Sequence, residues 1–453
     1  MTESWIMRIG RTTGAGGVAL GVVASLLAVA YFVPTQPYLA LGIAVMVFLF
    51  GLTLVDSAII PLIMVVPALA TYRVAAGGID LSLSDAALFA AFLPALVFAQ
   101  RPYTPALRAM IWLGVVYQAS TLFTVMANPY RANYIEWVHA GLLVVGTLIV
   151  GWSIGREGHA RLALTLMMVA ITALSVSAAI QGLTQYAQGN FAPIYPRWPF
   201  AMHKNAAGCL FGFAATMAYA RPSWLRWHPA FSYICFWVCV VGIGVTQSRQ
   251  AMAGLAAALI VIVMRTHGKG KDRRSKIILL AVLGALGFVL VMVRDQIASG
   301  NEHNSFFQRV DWLNESLRIW KTDPLFGVGL RWWYTDRFDI VFQPPNAILE
   351  QLSAAGLVGL LGFLVLMFGS LYVLWRMDLT YGLVAVSIVL SRFVQGQLDL
   401  FWVAVQTSVP FLIAGICLGA QGRELAEEPQ GEGWIAETAA AREDAGAVES
   451  TVA

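Results

Sequence analysis

Apolar residues are grouped along the chain in blocks of about 17–22, and short polar loops separate the blocks. An α-helix of about 20 apolar residues crosses the hydrocarbon core of a bilayer, whereas the strands of a membrane barrel give short alternating segments. The blocks therefore predict membrane-spanning helices. These lie at about 16–33, 37–54, 57–71, 84–100, 106–126, 135–155, 160–181, 204–220, 230–246, 249–265, 276–294, 351–374, 380–394 and 400–420.

The predicted span at 57–71 is short and contains Pro61 and Pro67. Proline removes a backbone donor and interrupts a helix, so we interpret this segment as a broken or re-entrant helix. The expected number of spans is accordingly roughly 12 to 14. The predicted fold class is an all-α polytopic membrane bundle.

The composition excludes an ordinary soluble fold. Of the 453 residues, 58% are hydrophobic and 12% are charged, whereas about a quarter of the residues of soluble domains are charged. The four cysteines lie inside apolar blocks, so we expect them to be small buried residues rather than disulfides or metal ligands. The net charge of +4 does not indicate a nucleic-acid partner, because the basic residues lie at predicted membrane boundaries.

The basic residues also predict the orientation. Arg265–Lys276 holds six Lys and Arg in twelve residues, and the positive-inside rule places it in the cytoplasm. Counting spans from there places both termini in the cytoplasm and the segment at about 295–346, here called the long loop, on the outer side. Residues 1–420 then form the membrane domain, with the first block as an uncleaved helix. The segment 421–453, which is polar and acidic overall, is expected to form a disordered cytoplasmic tail.

Basic residues collect at the predicted outer ends of the spans, where the positive-inside rule makes them scarce. Their placement indicates an anionic ligand, because guanidinium groups match phosphate oxygens. The sharpest case is Arg249, at the start of a helix that Thr246 or Ser248 can cap. A cation at a helix N-terminus is unfavourable unless an anion binds there, although an arginine that extends to the membrane interface is an alternative. The basic residues are Arg197, His203, Lys204, Arg249, Arg309, Arg318, Arg331 and Arg337.

The long loop contains a predicted amphipathic helix that ends at Thr322-Asp323-Pro324. At about 100° per residue, Arg309 lies at the border of its apolar stripe, and Arg318 lies on the opposite face. We therefore expect Arg309 to reach into a cavity beneath the helix and Arg318 to face solvent or an intrahelical carboxylate. The apolar stripe consists of Phe306, Val310, Leu313, Leu317 and Trp320.

Two other helix starts carry candidate catalytic groups. His203 opens the span at 204–220, where it either caps the helix or takes part in chemistry. Glu350 lies in the first turn of the helix that follows Pro345-Asn346, where it is either a base or a favourable acid at a helix start. The residues alone leave both alternatives open.

Four motifs, in this order, resemble the bacterial O-antigen ligase and O-antigen polymerase family: HKNAAG (203–208), TQSRQAMAG (246–254), RVDWLNESLRIWKTDPLFGVG (309–329) and PPNAILEQLSAAGLVGLLG (344–362). The resemblance implies a helical membrane glycosyltransferase at the outer side of the bacterial cytoplasmic membrane. Such an enzyme moves a glycan from an undecaprenyl-diphosphate carrier to an acceptor glycan or lipid.

The resemblance also implies roles for individual residues. Arg249 and Arg309 are expected to bind the lipid diphosphate, and Ser248 and Arg318 are further candidates for the same site. The arginines would stabilise the negative charge that develops on the leaving diphosphate. The implied chemistry requires no metal or other cofactor.

The chain departs from the family pattern at one position that matters. Pro345 precedes Asn346 where the family commonly has a histidine, the expected base for the acceptor hydroxyl. Either Glu350, His203 or another outer carboxylate takes that role, or the acceptor differs, or the protein does not catalyse the usual step. Asn346 is retained as a candidate catalytic residue. Two alternatives to the enzyme remain: a transporter of a small anion or solute, and an inactive scaffold in envelope polysaccharide assembly. Charges that cluster at one face rather than at mid-membrane favour the enzyme.

Overall fold

The computed structural model describes residues 23–427, except positions 25, 35, 77–78, 336, 340–341 and most of 267–304, of which it describes 284, 287, 291, 294, 295 and 298. The described part is a bundle of helices. They are Pro37–Val55 (α1), Ile59–Met64 (α2), Leu83–Phe98 (α3), Pro105–Ala127 (α4), Arg131–Arg156 (α5), Ala160–Ala187 (α6), Lys204–Ala220 (α7), Pro229–Thr246 (α8), Arg249–Arg265 (α9), Ser305–Trp320 (α10), Ala347–Arg376 (α11), Leu379–Gly396 (α12) and Ala404–Glu427 (α13).

The helices confirm the predicted all-α membrane bundle. Seven of them (α4, α5, α6, α8, α11, α12 and α13) are long and apolar enough to cross a membrane. The helices α7 and α9 are equally apolar in character and have 17 residues each. The segment predicted at 57–71 is a broken helix, because α2 ends before the short 3₁₀ turn Pro67–Leu69. Most of the predicted span 276–294 and the basic segment before it lie outside the described residues.

Two local features were not predicted. Strands Arg73–Ala76 (β1) and Ile79–Ser82 (β2) form an antiparallel hairpin, although Gly77-Gly78 between them is a recognised hairpin signal in the sequence. Ser82 then caps α3 in a capping box with Asp85, which explains why the chain passes directly from strand to helix. The second feature is a π-helical turn, Leu142–Gly146, inside α5.

Glycines allow a close helix contact in the bundle core. Gly151 and Gly155 of α5 face Gly415 and Gly419 of α13, and a Cβ atom at Gly151 would lie 2.3 Å from the carbonyl oxygen of Leu412. Small residues four apart let two membrane helices approach at backbone distance. The helix α13 is almost completely buried within the described bundle.

The long loop docks on a break in α11. Gly356 has φ of 64° and ψ of −165°, so the predicted continuous span is interrupted one third of the way along α11. The loop segment 324–329 satisfies the backbone groups that the break releases. The hydrogen bonds are Val328 N to Ser353 O (3.2 Å), Gly329 N to Ala354 O (2.9 Å), Leu357 N to Pro324 O (2.9 Å) and Val358 N to Leu325 O (3.1 Å). The two glycine-containing motifs at 325–329 and 353–359 therefore form one structural unit.

Candidate functional site

The candidate site lies at the end of the bundle where α7, α9 and α11 begin and α12 ends. The first turns of α7 and α9 touch, because Gly208 has no side chain: a Cβ atom there would lie 2.5 Å from the Cβ of Ser248. Two helix N-termini therefore lie side by side. Each carries partial positive charge from its unpaired backbone N–H groups.

Three cations meet at this end, and we call Lys204, Arg249 and Arg309 the cation cluster. Lys204 interacts electrostatically with Arg249, Arg309 and Asp399, and Arg309 interacts with Arg249 and Asp399. Desolvation of the Arg309 guanidinium and the neighbouring Arg249 cation both lower the pKa of Arg309, while Asp399 raises it. Three basic side chains from three helices thus share a space with one carboxylate, an arrangement suited to binding an anion.

Three other predicted outer cations, all in the long loop, pair outside the cation cluster. Arg318 lies on the exposed face of α10, where its Nε donates to Glu315 Oε2 at 2.7 Å. Arg331 pairs with the buried Glu136 of α5. Arg337 donates to Asn128 Oδ1 at 2.7 Å. The structure therefore brings Arg309 to Arg249 and places Arg318 away from both.

Ser248 begins α9, but its hydroxyl does not cap the helix. The side chain makes no cap hydrogen bond, and Thr246 Oγ1 donates to Ile243 O of the preceding helix instead. Ser248 is fully buried, and its Oγ has no hydrogen-bond partner among the described residues. The expectation of a side-chain cap at this helix is wrong, because close packing on Gly208 takes up the space around the hydroxyl.

His203 caps α7. Its Nδ1 accepts a hydrogen bond from the backbone N–H of Asn205 at 3.3 Å, and its ring packs edge-on against Tyr195. Partial desolvation of the ring lowers the pKa of His203 below its usual 6.5, with Lys204 adding to that effect and Asp399 opposing it. The ring is therefore neutral at pH 7, with its proton on Nε2. In this state His203 can donate a hydrogen bond from Nε2 to a ligand, while its unprotonated nitrogen, Nδ1, is engaged by the start of α7.

Asn346 and Glu350, at the start of α11, both contact the connection between α12 and α13. Asn346 Oδ1 caps α11, while its Nδ2 donates to Gln397 O at 2.9 Å. Glu350 is buried; its Oε1 accepts from Gln343 Nε2 at 2.7 Å and its Oε2 from Phe401 N at 3.4 Å. Both carboxylate oxygens are thus engaged within the protein. The geometry makes these two residues supports of the segment 397–401.

Arg392 supports the same segment from the other side, and it was missed in the sequence. Its guanidinium is fully buried and donates to Leu400 O at 2.8 Å, to Phe401 O, and to Gln406 Oε1 at 2.9 Å. A signal existed, because an ionisable residue inside an apolar span marks a functional position by default.

Asp399 was also missed. It lies in the middle of the segment 397–401 and interacts electrostatically with His203, Lys204 and Arg309. In the sequence it is the single acid between two predicted spans, which is a weak signal because such an acid is usually solvated. Only the packing of four separate segments shows that it belongs to the site.

Comparison with known proteins agrees with the motif resemblance. The family model described as O-antigen ligase matches residues 234–364, a range that contains Arg249, Arg309, Asn346 and Glu350. No curated protein matches the chain. Among the described residues, no group of three or more His, Cys, Asp or Glu side chains is placed to hold a metal ion.

Proposed function

Because residues 234–364 match the family model described as O-antigen ligase, we propose that the chain is a membrane glycosyltransferase. Its donor is a glycan linked to undecaprenyl diphosphate, and its acceptor is another glycan or a lipid. The basic segment Arg265–Lys276 supports a site on the outer side of the bacterial cytoplasmic membrane, with both termini in the cytoplasm.

The observation that carries this proposal is the cation cluster. Arg249, Arg309 and Lys204 converge beside two helix N-termini, and this combination binds phosphate oxygens through guanidinium groups, an ammonium group and backbone N–H groups. In the reaction the bond between the sugar and the diphosphate breaks, and the diphosphate takes the electron pair. Cations already in place stabilise the charge that develops on this leaving group. In this scheme side chains supply the stabilisation without a metal.

The acceptor hydroxyl must lose a proton as its oxygen forms the new glycosidic bond. Pro345 stands where the family commonly has the base, the unprotonated nitrogen of His203 is engaged by the start of α7, and both oxygens of Glu350 are engaged. Asp399 is the carboxylate that faces the cation cluster. We therefore assign Asp399 as the group that accepts the proton. Asn346 and Glu350 position the segment that contains Asp399.

The test uses purified protein in nanodiscs with an undecaprenyl-diphosphate-linked glycan and a panel of acceptor glycans and lipids. Release of undecaprenyl diphosphate is measured for the wild type and for Arg249→Ala, Arg309→Ala and Arg318→Ala. We expect the first two changes to lower the rate by about 10²–10³-fold. Arg318→Ala is the matched control on the same helix, and it should retain nearly full activity because that side chain pairs with Glu315.

Two results would contradict the proposal. Equal losses for Arg309→Ala and Arg318→Ala would show that the cation cluster is not the diphosphate site. Absence of release from the wild type with every acceptor, together with binding of small anions, would favour the transporter or the inactive scaffold.

A further inference from the structure

A set of buried polar atoms without partners lies beneath the cation cluster. Gln250 is 3% exposed, and neither its Oε1 nor its Nε2 has a hydrogen-bond partner within the described part of the chain. The same holds for Ser248 Oγ and for Gln395 Oε1, whose residues are fully buried. Buried polar atoms are nearly always paired in folded proteins, so a group of four in one place indicates a missing partner.

The three side chains lie where α9 packs on α7 and α12, with Ser248 and Gln250 at the start of α9 and Gln395 on α12, and we call them the amide subsite. Gln250 shares a face of α9 with Gly254, one turn further on. A Cβ atom at Gly254 would lie 2.6 Å from Cγ of Gln395, so this face of α9 packs on Gln395. Ser248 packs on Gly208 of α7. Since Ser248 and Gln250 flank Arg249 in the chain, the amide subsite adjoins the cation cluster.

The chemistry of the unpaired atoms distinguishes between ligands. The amide oxygens of Gln250 and Gln395 can only accept hydrogen bonds. Phosphate oxygens that carry negative charge also only accept, so a diphosphate leaves both amide oxygens unsatisfied. A sugar hydroxyl both donates and accepts, and it can pair with the amide oxygens, with the Gln250 amide nitrogen and with the Ser248 hydroxyl.

We propose that the amide subsite binds the sugar residue that is directly attached to the donor diphosphate. This inference rests on the proposed function, because it needs the diphosphate to occupy the cation cluster. The three side chains are buried in this structure, so the neighbouring side chains that cover them must move aside when the sugar binds. The subsite then distinguishes the donor from the product: undecaprenyl diphosphate has no sugar, loses these hydrogen bonds, and leaves more readily after transfer.

The experiment compares two lipids that differ only in the sugar. Binding of undecaprenyl diphosphate, with and without one attached sugar (N-acetylglucosamine, galactose or rhamnose in turn), is measured on the full-length protein in nanodiscs. The wild type should bind at least one sugar-bearing lipid more tightly than the bare lipid. Gln250→Leu and Gln395→Leu should each weaken binding of that lipid by about tenfold, which corresponds to one or two lost hydrogen bonds. Both variants should bind the bare lipid as the wild type does.

Two control variants make the result specific. Ser387→Ala removes another buried hydroxyl of α12 that has no partner in the described residues, two turns away from Gln395, and should change neither affinity. Arg249→Ala should weaken binding of both lipids equally. If a leucine variant fails to fold, Ser248→Ala replaces it, since loss of one hydroxyl leaves the packing on Gly208 intact.

The outcomes separate this inference from the proposed function. If the wild type binds bare and sugar-bearing lipids equally, or if the leucine variants bind both as the wild type does, the amide subsite holds only ordered water and the inference is overturned. In either case the diphosphate site still stands. If the wild type binds neither lipid, the proposed function itself fails, and this inference fails with it.

Discussion

Glu350 and Arg392 hold the backbone of one residue, Phe401, from two sides. Glu350 Oε2 accepts from the backbone N–H of Phe401 at 3.4 Å, and the Arg392 guanidinium donates to the carbonyl oxygen of the same residue. Both side chains are buried, so the residue between them links an acid on α11 with a base on α12 without direct contact. This link fixes the short segment that carries Asp399.

The first prediction separates the proton acceptor from its support. Asp399→Asn should lower the transfer rate by about 10²–10⁴-fold, the usual contribution of a general base. Glu350→Gln should lower it by about tenfold, because the new amide nitrogen faces a donor at Gln343 or at Phe401 and one hydrogen bond is lost. Rates of undecaprenyl diphosphate release measure both effects.

The acidity of the acceptor hydroxyl distinguishes a general base from a structural residue, because only the loss of a base depends on it. With an acceptor that carries fluorine beside its reacting hydroxyl, less help from a base is needed. The loss in Asp399→Asn should therefore shrink, whereas the loss in Glu350→Gln should stay the same. Equal losses with both acceptors would make Asp399 a structural residue. Asp399→Glu, which retains the carboxylate, should recover part of the rate.

The second prediction concerns the break in α11. Gly356→Ala should destabilise the protein by about 1–3 kcal/mol or more, because φ of 64° with ψ of −165° is a backbone conformation essentially restricted to glycine. The added Cβ would also lie 2.3 Å from Leu325 O, so the docked loop must move. Thermal unfolding in detergent measures the loss. Gly244→Ala is the control: it lies in α8 with open space around it, and it should be neutral or slightly stabilising.

The third prediction compares an ion pair that fastens the long loop to α5 with one that lies within the loop helix α10. Glu136 and Arg331 have side chains 7% and 27% exposed, whereas Glu315 and Arg318 are 38% and 60% exposed. Glu136→Ala should cost about 3 kcal/mol of unfolding free energy, because the partly exposed Arg331 keeps its charge and loses its partner. Glu315→Ala should cost about 1 kcal/mol or less. Chemical denaturation in detergent measures both, and similar costs would show that Glu136 does not anchor the loop.

Glu136 also contacts His139, so its replacement affects a second part of the fold. His139 Nδ1 lies 3.3 Å from Glu136 Oε2, and His139 Nε2 lies 2.9 Å from Asp85 Oδ1. Removal of Glu136 therefore affects the start of α3 as well as the loop. Glu136→Gln, which keeps the shape of the side chain, should lose less stability than Glu136→Ala.

The fourth prediction follows from the lowered pKa of His203. Unfolded chains bind a proton at this histidine near its usual pKa of 6.5, whereas the folded protein binds it only at lower pH. Between these two values the unfolded state carries more protons, so stability falls as the pH drops below about 6.5 and rises again towards neutral pH. The melting temperature between pH 5 and pH 8 should show this slope.

Substitution with asparagine tests the assignment of that slope. Asn is a strong N-cap residue, so His203→Asn should keep the start of α7 while removing the titrating group. The variant should show a smaller decrease in melting temperature below pH 6.5 than the wild type. An unchanged slope would assign the effect to another group.

Much of the fold follows from the chain alone. Blocks of apolar residues long enough to cross a membrane determine where helices form, since lipid leaves the backbone no other hydrogen-bond partners. The amphipathic helix of the long loop was predictable in the same way, because its period of 3.6 is a local property. The opposite faces of Arg309 and Arg318 also follow from that period, and the structure shows Arg318 paired with Glu315 as one of the two predicted alternatives.

The composition of the site was decided by tertiary packing. Lys204, Arg249, Arg309 and Asp399 come from four segments, and no local period relates positions so distant in sequence. The engagement of Glu350, the clamp formed by Arg392 and the docking of the long loop at Gly356 likewise depend on which helices become neighbours. The sequence by itself determined the helices and their polarity. Only the packed structure decided which of their polar residues face one another, because that choice depends on contacts between helices.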